Sequence, residues 1–293
     1  MSVAVAFAGQ GAETPRMGVA MAEAFPAARA LLDAAGPAVI EALHRGRPLA
    51  AEALQPALVA VQLGAFEALR AAGVAPKAVL GHSLGELAAW AASGAIDGVS
   101  AVRLAQVRGA AMAQAAAAHP GGMVALATGS LDAVGEALAA GRAVGVLSIA
   151  AHNAPREWVL SGDEAAVRAA VRACGGRRLD VAGPWHAPTM ASARAPFARA
   201  LAEVEVRPAR VTFVANATGE VAAPDAIPAL LERQLVRPVR WARAMRTLAR
   251  LGVTDLVIAG PGKPLRHLAR GTGLGVHACE DPADVARIAE ALR

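Results

Sequence analysis

The segment Gly81-His82-Ser83-Leu84-Gly85 constrains this chain more than any other. An apolar run, Lys77-Ala78-Val79-Leu80, leads into it, and an Ala-rich stretch with helical character (86–93) follows. Strand, tight turn and helix in that order put the serine in a strained turn, where a side chain at either flanking position would clash. That accounts for Gly81 and Gly85. A βα unit of this kind belongs to a parallel sheet covered by helices on both faces. The rest of the chain keeps the alternation. Residues 3–8 are apolar and end at Gly9-Gln10-Gly11, a second strand and turn. Helical patterns follow over 20–32, 56–72 and 100–118.

After Pro120 the pattern changes. The spacing predicts a strand over 123–127 and a helix over 131–140. Strands follow over 146–151 and 158–161, separated by a loop with Pro155, and His152 falls in that small unit's loop. A helix over 163–173 and a strand over 178–182 complete it. The order βαββαβ is that of a ferredoxin-like unit, so an inserted small subdomain is expected at 120–184. Beyond it come a helix over 188–204, a strand over 211–214, helices over 227–235 and 239–252, and a strand over 255–258 that ends at Gly260-Pro261-Gly262. These last segments return to the large sheet. The expected fold class is α/β, with a large catalytic part at 1–119 and 185–293.

Composition narrows the function. With 293 residues, 55% of them hydrophobic, the chain fills a sizeable core. No apolar run reaches the roughly 18 residues that a membrane span needs, so no membrane role is expected. The stretch 1–7 lacks a positive leading segment and reads as a first strand, not a signal peptide. The two cysteines, Cys174 and Cys279, are far apart and suggest neither a disulfide framework nor a metal site. A cytoplasmic protein is expected. The net charge of +5 is almost all arginine, with lysine only at Lys77 and Lys263. Aromatics are 3% and no basic run carries interleaved rings, which argues against nucleic acid. An acidic protein partner fits the charge.

A serine hydroxyl needs a base. The helix that begins just after Ser83 aims its N–H groups and dipole at the reacting centre, which suits an oxyanion. The competing reading is a tight βα turn with a capping serine. Of the seven histidines, His82 adjoins Ser83 and should point away from it. His44, His119, His267 and His277 lack a strand-end context. His186 follows a strand and lies in Gly183-Pro184-Trp185-His186-Ala187-Pro188, a loop stiffened by two prolines. It is the candidate base; otherwise it is a loop histidine bonded to backbone. Taken alone, these residues imply acyl chemistry through Ser83, which an esterase would share.

Several ordered motifs then carry a resemblance over nearly the whole chain. They are Phe7-Ala8-Gly9-Gln10-Gly11-Ala12, Gly81-His82-Ser83-Leu84-Gly85-Glu86, Arg108-Gly109, Asn153-Ala154-Pro155, Trp185-His186-Ala187-Pro188, Gln234 to Trp241, and Gly260-Pro261-Gly262-Lys263-Pro264-Leu265. In these the chain resembles the malonyl-CoA:acyl carrier protein transacylases of fatty acid synthesis and the related polyketide synthase acyltransferases. The resemblance implies an α/β-hydrolase-like large part with a ferredoxin-like insert. It implies Ser83 as nucleophile, His186 as base, and the N–H groups of Gln10 and Leu84 as oxyanion hole. A main-chain carbonyl near Gln234 would orient the histidine, and Gln234 and Trp185 would line the substrate site. Arg108 would clamp the free carboxylate of a malonyl-type group; without the resemblance it could equally be a surface residue.

No bound cofactor is implied. The substrate is acyl-CoA, and the phosphopantetheine sits on an acidic acyl carrier protein. A monomer is expected. The chain departs from the family pattern at Ala151, His152, Glu157 and Trp185, which leaves the acyl group open. Arg237, Arg240, Arg243, Arg246 and Arg250 recur every three or four residues, as a carrier-docking face or a solvated one. Three other readings stand on the same scaffold: an acyl-thioester hydrolase, the malonyltransferase subunit of a malonate decarboxylase, and a non-catalytic docking protein.

Overall fold

The computed structural model describes residues 1–49 and 51–293. Among the described residues nine strands form two sheets. The large sheet contains β1 (Val3–Phe7), β2 (Ala78–Gly81), β7 (Thr212–Val214), β8 (Asp255–Ala259) and β9 (Gly275–Cys279), in the order β7-β2-β1-β8-β9. Every pair in it is parallel. The small sheet contains β3 (Gly121–Leu126), β4 (Leu147–Ala154), β5 (Glu157–Asp163) and β6 (Arg177–Arg178), in the order β4-β5-β3-β6, every pair antiparallel. With helices Leu131–Arg142 and Glu164–Cys174 between its strands, this is the ferredoxin-like arrangement that the βαββαβ order predicts.

The alternation of β1 explains how the two sheets meet. Val3, Val5 and Phe7 face one cluster with the helices Ala51–Ala71 and Gly85–Ala92. Ala4, Ala6 and Ala8 face the other way. Against that small-residue face pack Trp241, Leu248 and Ile258 and, from the small sheet, Met123, Ala151 and Val159. The alternate residues of the small sheet, Val124, Leu126 and Leu160, face its own helices in a third cluster. The two sheets therefore share one apolar seam. Backbone bonds reinforce it: His152 N–H donates to the Val239 carbonyl at 2.9 Å, and Val239 N–H donates to the Ala150 carbonyl at 2.9 Å.

Several elements differ from the sequence expectation. The spacing predicts one helix over 20–32; the chain forms two, Val19–Ala24 and Pro26–Ala35, because Pro26 starts a new helix rather than continuing one. The helix expected from residue 56 is Ala51–Ala71 and contains Pro56, whose ring removes a single backbone bond near the helix start. The strand expected over 178–182 pairs only at Arg177 and Arg178, before the chain leaves the sheet for the His186 loop. The helix expected over 188–204 opens as a 3₁₀ turn, Pro188–Ala193, before Arg194–Ala202. His152 lies on β4, not in a loop, and its ring stacks on Trp158 with centroids 3.7 Å apart. The helix Pro37–His44, the strand β9 and the capped helix Pro282–Ala291 carry no expectation from sequence.

The backbone is closely packed at the serine turn. A Cβ at Gly81 would overlap the Gly85 carbonyl, and one at Gly85 would overlap the Phe7 carbonyl. The turn is thus pressed against the end of β1, which sets Gly9 beside His82 and Ser83. Gly85→Ala should destabilise the fold by at least about 2 kcal/mol, the scale of an overpacked core, read as a lower urea midpoint at unchanged slope.

Candidate active site

Ser83 has φ 52, in the left-handed region that non-glycine residues rarely adopt. The turn puts its side chain at the C-terminal end of the parallel sheet, where ligands bind in open α/β sheets. His186 also has a positive φ, 64. Its loop is held by the Trp185 N–H to Gly183 and the Ala187 N–H to Pro184. The two residues that the sequence singles out for chemistry are thus both strained, and both side chains meet: Ser83 Oγ lies 2.8 Å from His186 Nε2.

The other ring nitrogen, His186 Nδ1, lies 2.7 Å from the main-chain carbonyl of Gln234. A carbonyl only accepts, so Nδ1 carries the proton and the Nε2 lone pair faces the serine. Burial pushes the imidazole down to about 3; the Gln234 carbonyl opposes this, and the charge of Arg108 adds to it. The ring is neutral at ordinary pH and ready to accept a proton.

Arg108 comes from the helix Gly98–Ala118 and is 2% exposed. Its Nη1 donates to Gln55 Oε1 at 2.9 Å, and its Nη2 donates to Gln234 Oε1 at 3.0 Å and to Ser83 Oγ at 3.2 Å. Burial lowers its pKa to about 10, with the Glu86 carboxylate opposing, so the guanidinium stays charged. Glu86, in the first turn of the helix Gly85–Ala92, is 1% exposed. Burial raises it to about 7 against hydrogen bonds from Asn216 and Gln234.

Gln234 is the hub. Its backbone holds the histidine, its Oε1 takes the arginine bond, and its Nε2 donates to the Ser83 carbonyl at 3.0 Å and to Glu86. Leu84 precedes the helix Gly85–Ala92, where an N–H has no acceptor within the helix. Among the described residues neither the Leu84 nor the Gln10 N–H has a backbone acceptor. Gln10 is tied to the arginine side of the site through Gln55, with Nε2 of Gln55 3.5 Å from Gln10 Oε1.

The structure thus brings Ser83, His186, Arg108 and Gln234 into one network, with Leu84 on the serine turn and Gln10 joined through Gln55. Trp185 is half-buried, bridging the apolar clusters on both faces of the large sheet. His82 points away from the serine, as its position requires: its Nε2 meets Asn153 Oδ1 at 2.9 Å, and Asn153 Nδ2 donates to Glu157 Oε1 at 3.2 Å. Sequence reading misses Gln55, Glu86 and Asn216. A lone acid in the first turn of an otherwise Ala- and Leu-rich helix is the one signal that could have raised Glu86. Of the arginines expected to share a face, Arg243, Arg246 and Arg250 do so on the exposed side of the helix Trp241–Arg250, and Arg237 and Arg240 lie outside it. Helix Trp241–Arg250 begins after the first two, and Arg243 (2.8 Å) and Arg250 both pair with Glu220. Among the described residues no group of three or more His, Cys, Asp or Glu side chains could hold a metal ion, and no helix is long and apolar enough to cross a membrane.

Several known proteins are similar to this chain. The model of the acyl transferase domain family matches residues 5–260. The phenolphthiocerol synthesis polyketide synthase type I Pks15/1 of Mycobacterium marinum is 38% identical over 89% of the chain, which spans 13% of that synthase's length. The malonyl CoA-acyl carrier protein transacylase of Escherichia coli O157:H7 is 33% identical, with 91% of each chain covered. A solved structure of a type II polyketide synthase acyl carrier protein in complex with its malonyl-transacylase superposes with a TM-score of 0.91 at 28% identity, covering 99% of this chain and 100% of that one.

A histidine depressed by burial stabilises the fold above its unfolded value near 6.5, and that contribution is lost as pH falls toward the folded value. The His186 ring should therefore show the ¹⁵N shifts of a neutral imidazole down to about pH 5, where an ordinary histidine is protonated. A protonation midpoint near 6.5 would contradict the buried, carbonyl-bound arrangement.

Proposed function

The chain belongs to the acyl transferase domain family, and on that premise we propose that it carries a malonyl or similar dicarboxylic acyl group from CoA, through an ester on Ser83, to the phosphopantetheine thiol of an acidic acyl carrier protein. The observation that carries this reading is the double contact of Ser83 Oγ, with the base His186 on one side and the cation Arg108 on the other. A nucleophile with only a base would suit any ester. A buried guanidinium at the same oxygen suits an acyl group whose own carboxylate lies two bonds beyond the reacting carbonyl carbon.

In the first half-reaction His186 Nε2 takes the Ser83 proton as Oγ attacks the thioester carbon. The oxyanion that forms is met by the N–H groups of Gln10 and Leu84, each such donor being worth about 3 kcal/mol. The tetrahedral species collapses, the C–S bond breaks, and His186 returns the proton to the CoA sulfur. In the second half the carrier thiol gives its proton to His186 and attacks the acyl-serine, and the proton passes back to Ser83 Oγ. The Gln234 carbonyl orients the imidazolium at each stage, taking the place that a carboxylate holds in a Ser-His-Asp triad. No resident cofactor enters this cycle. The Glu86 carboxyl offsets part of the Arg108 charge in the site.

The cleft beside Gln10 and His82, about 810 Å³ in volume, supports the choice of partner. Arg177, Lys263, Arg266 and Arg270 line it, a basic rim suited to the phosphates of CoA or of a carrier-bound phosphopantetheine. It fits an acidic carrier better than the helix Trp241–Arg250, where Glu220 already takes two of the arginines. In this reading residues 1–119 and 185–293 form the catalytic subdomain and 120–184 the small one, which closes the cleft through Asn153 and Arg177. Trp185 narrows the acyl pocket.

Intact-protein mass spectrometry after incubation with malonyl-CoA should show one malonyl adduct, absent in Ser83→Ala. Arg108→Ala should lower malonyl kcat/KM by about 100-fold or more, the cost of losing a charged, hydrogen-bonded partner, and affect acetyl transfer far less. Free malonate released faster than acyl-carrier protein forms would replace this reading with a thioester hydrolase.

A further inference from the structure

The large sheet carries a rung that its backbone does not supply. β2 and β7 run parallel with Leu80 opposite Val214, so the next rung along the ladder lies at His82 opposite Asn216. In a parallel ladder the peptide groups of a residue bond to the carbonyl before and the N–H after its partner. Continued here, Asn216 would give its N–H to the Gly81 carbonyl and take the Ser83 N–H on its own carbonyl. The backbone of Asn216 does neither, because its N–H donates to Glu86 Oε1 at 2.6 Å and its carbonyl accepts the Arg240 N–H at 3.0 Å. The side-chain amide makes both bonds instead. Asn216 Oδ1 accepts from the Ser83 N–H at 2.7 Å, and Asn216 Nδ2 donates to the Gly81 carbonyl.

We infer that the side-chain amide of Asn216 acts as a surrogate peptide group that completes the His82–Asn216 rung and holds Ser83 in its left-handed, reactive conformation; Asn216 is a positioning residue for the nucleophile. An amide is required, since one group must accept and the other donate. The site is dry, with Asn216 2% exposed, so water does not readily replace either bond. The strained φ of Ser83 needs surroundings that over-determine it. Gly81 and Gly85 make room for the turn, and Asn216 closes it from the one side that the sheet leaves open. The same bond occupies the Ser83 N–H and so leaves the Leu84 and Gln10 N–H groups to meet the oxyanion.

The loop carrying Asn216 is itself anchored. Ala215 N–H donates to the Glu220 carbonyl at 2.9 Å, and the Glu220 side chain is bound by Arg243, Arg250 and Thr247. The Arg243 and Arg250 pair thus acts two steps away from the nucleophile.

This inference rests on Ser83 as nucleophile, and the test separates the two. The rate of Ser83 acylation is followed by rapid-quench mass spectrometry in wild type, Asn216→Leu and, as a smaller second variant, Asn216→Ala, with circular dichroism and a melting curve for each. Malonyl-CoA and acetyl-CoA are both used. In a folded variant kcat for acylation should fall about 100-fold, the scale of a misplaced reacting group. KM should be unchanged and the loss equal for the two acyl groups, because the defect lies in the serine and not in the acyl pocket. A folded variant of native melting behaviour that acylates within twofold of wild type would overturn the inference, as would a loss seen only in KM or only with malonyl-CoA. Wild type that forms no adduct would instead remove the reading of Ser83 itself.

Discussion

A guanidinium that is 2% exposed must be compensated from inside the protein, and the compensation of Arg108 runs through every part of the site. Its two terminal nitrogens are taken by Gln55, Gln234 and Ser83. The nearest negative group, Glu86, reaches it through the Gln234 amide rather than by a direct ion pair. Gln234 can accept from Arg108 only with Nε2 turned toward Glu86 and the Ser83 carbonyl, so one amide orientation satisfies all three neighbours. Because the backbone of the same residue fixes His186, the placement of the charge and the tautomer of the base are set together. The opposed shifts of Glu86 and His186 follow from the same dry interior: burial raises the acid and lowers the base.

Much of this was legible in the sequence. The glycines around Ser83 are dictated by local sterics, so the turn could be read from five residues, and the alternation of strand and helix patterns marks every strand of both sheets but the edge strand β9. His186 was legible because prolines bracket it at the end of a strand-like run. Arg108 and Gln10 carried no local signal and came through the resemblance. The residues that escaped are those whose role exists only once distant segments meet. Asn216 follows an ordinary apolar run, and nothing within that run says that its amide will stand beside Ser83. Gln55 lies in a helix whose start was placed after it, since Pro56 reads as a boundary and proved to be interior. At Pro26 the helical pattern over 20–32 runs on across the proline, where the chain forms two helices.

The arginines after residue 236 show how a distant segment can take up part of a periodic charge pattern. Spacing alone makes them one face. In the folded chain Glu220 comes back across the helix, two of the arginines are taken up by it, and the loop that results sits behind the serine turn. The cations left beside the cleft come from two other places: Arg177 at the end of the small sheet, and Lys263, Arg266 and Arg270 in and just after the helix Lys263–Leu268. The last three recur at helical spacing, and only the fold brings Arg177 to join them in a rim.

The alanine face of β1 has a consequence for exchanging parts between related enzymes. Ala4, Ala6 and Ala8 leave a shallow bed into which Met123, Ala151 and Val159 of the small sheet fit, closed on the far side by Trp241. A graft of the small unit therefore moves half of a shared core, and its boundary cannot be drawn at the chain crossings alone. The Val239 strand segment, which bonds to both Ala150 and His152, would have to travel with the graft or match it in side-chain volume. A chimera respecting that seam could alter the cleft wall while the serine turn, fixed from the large sheet, stayed in register.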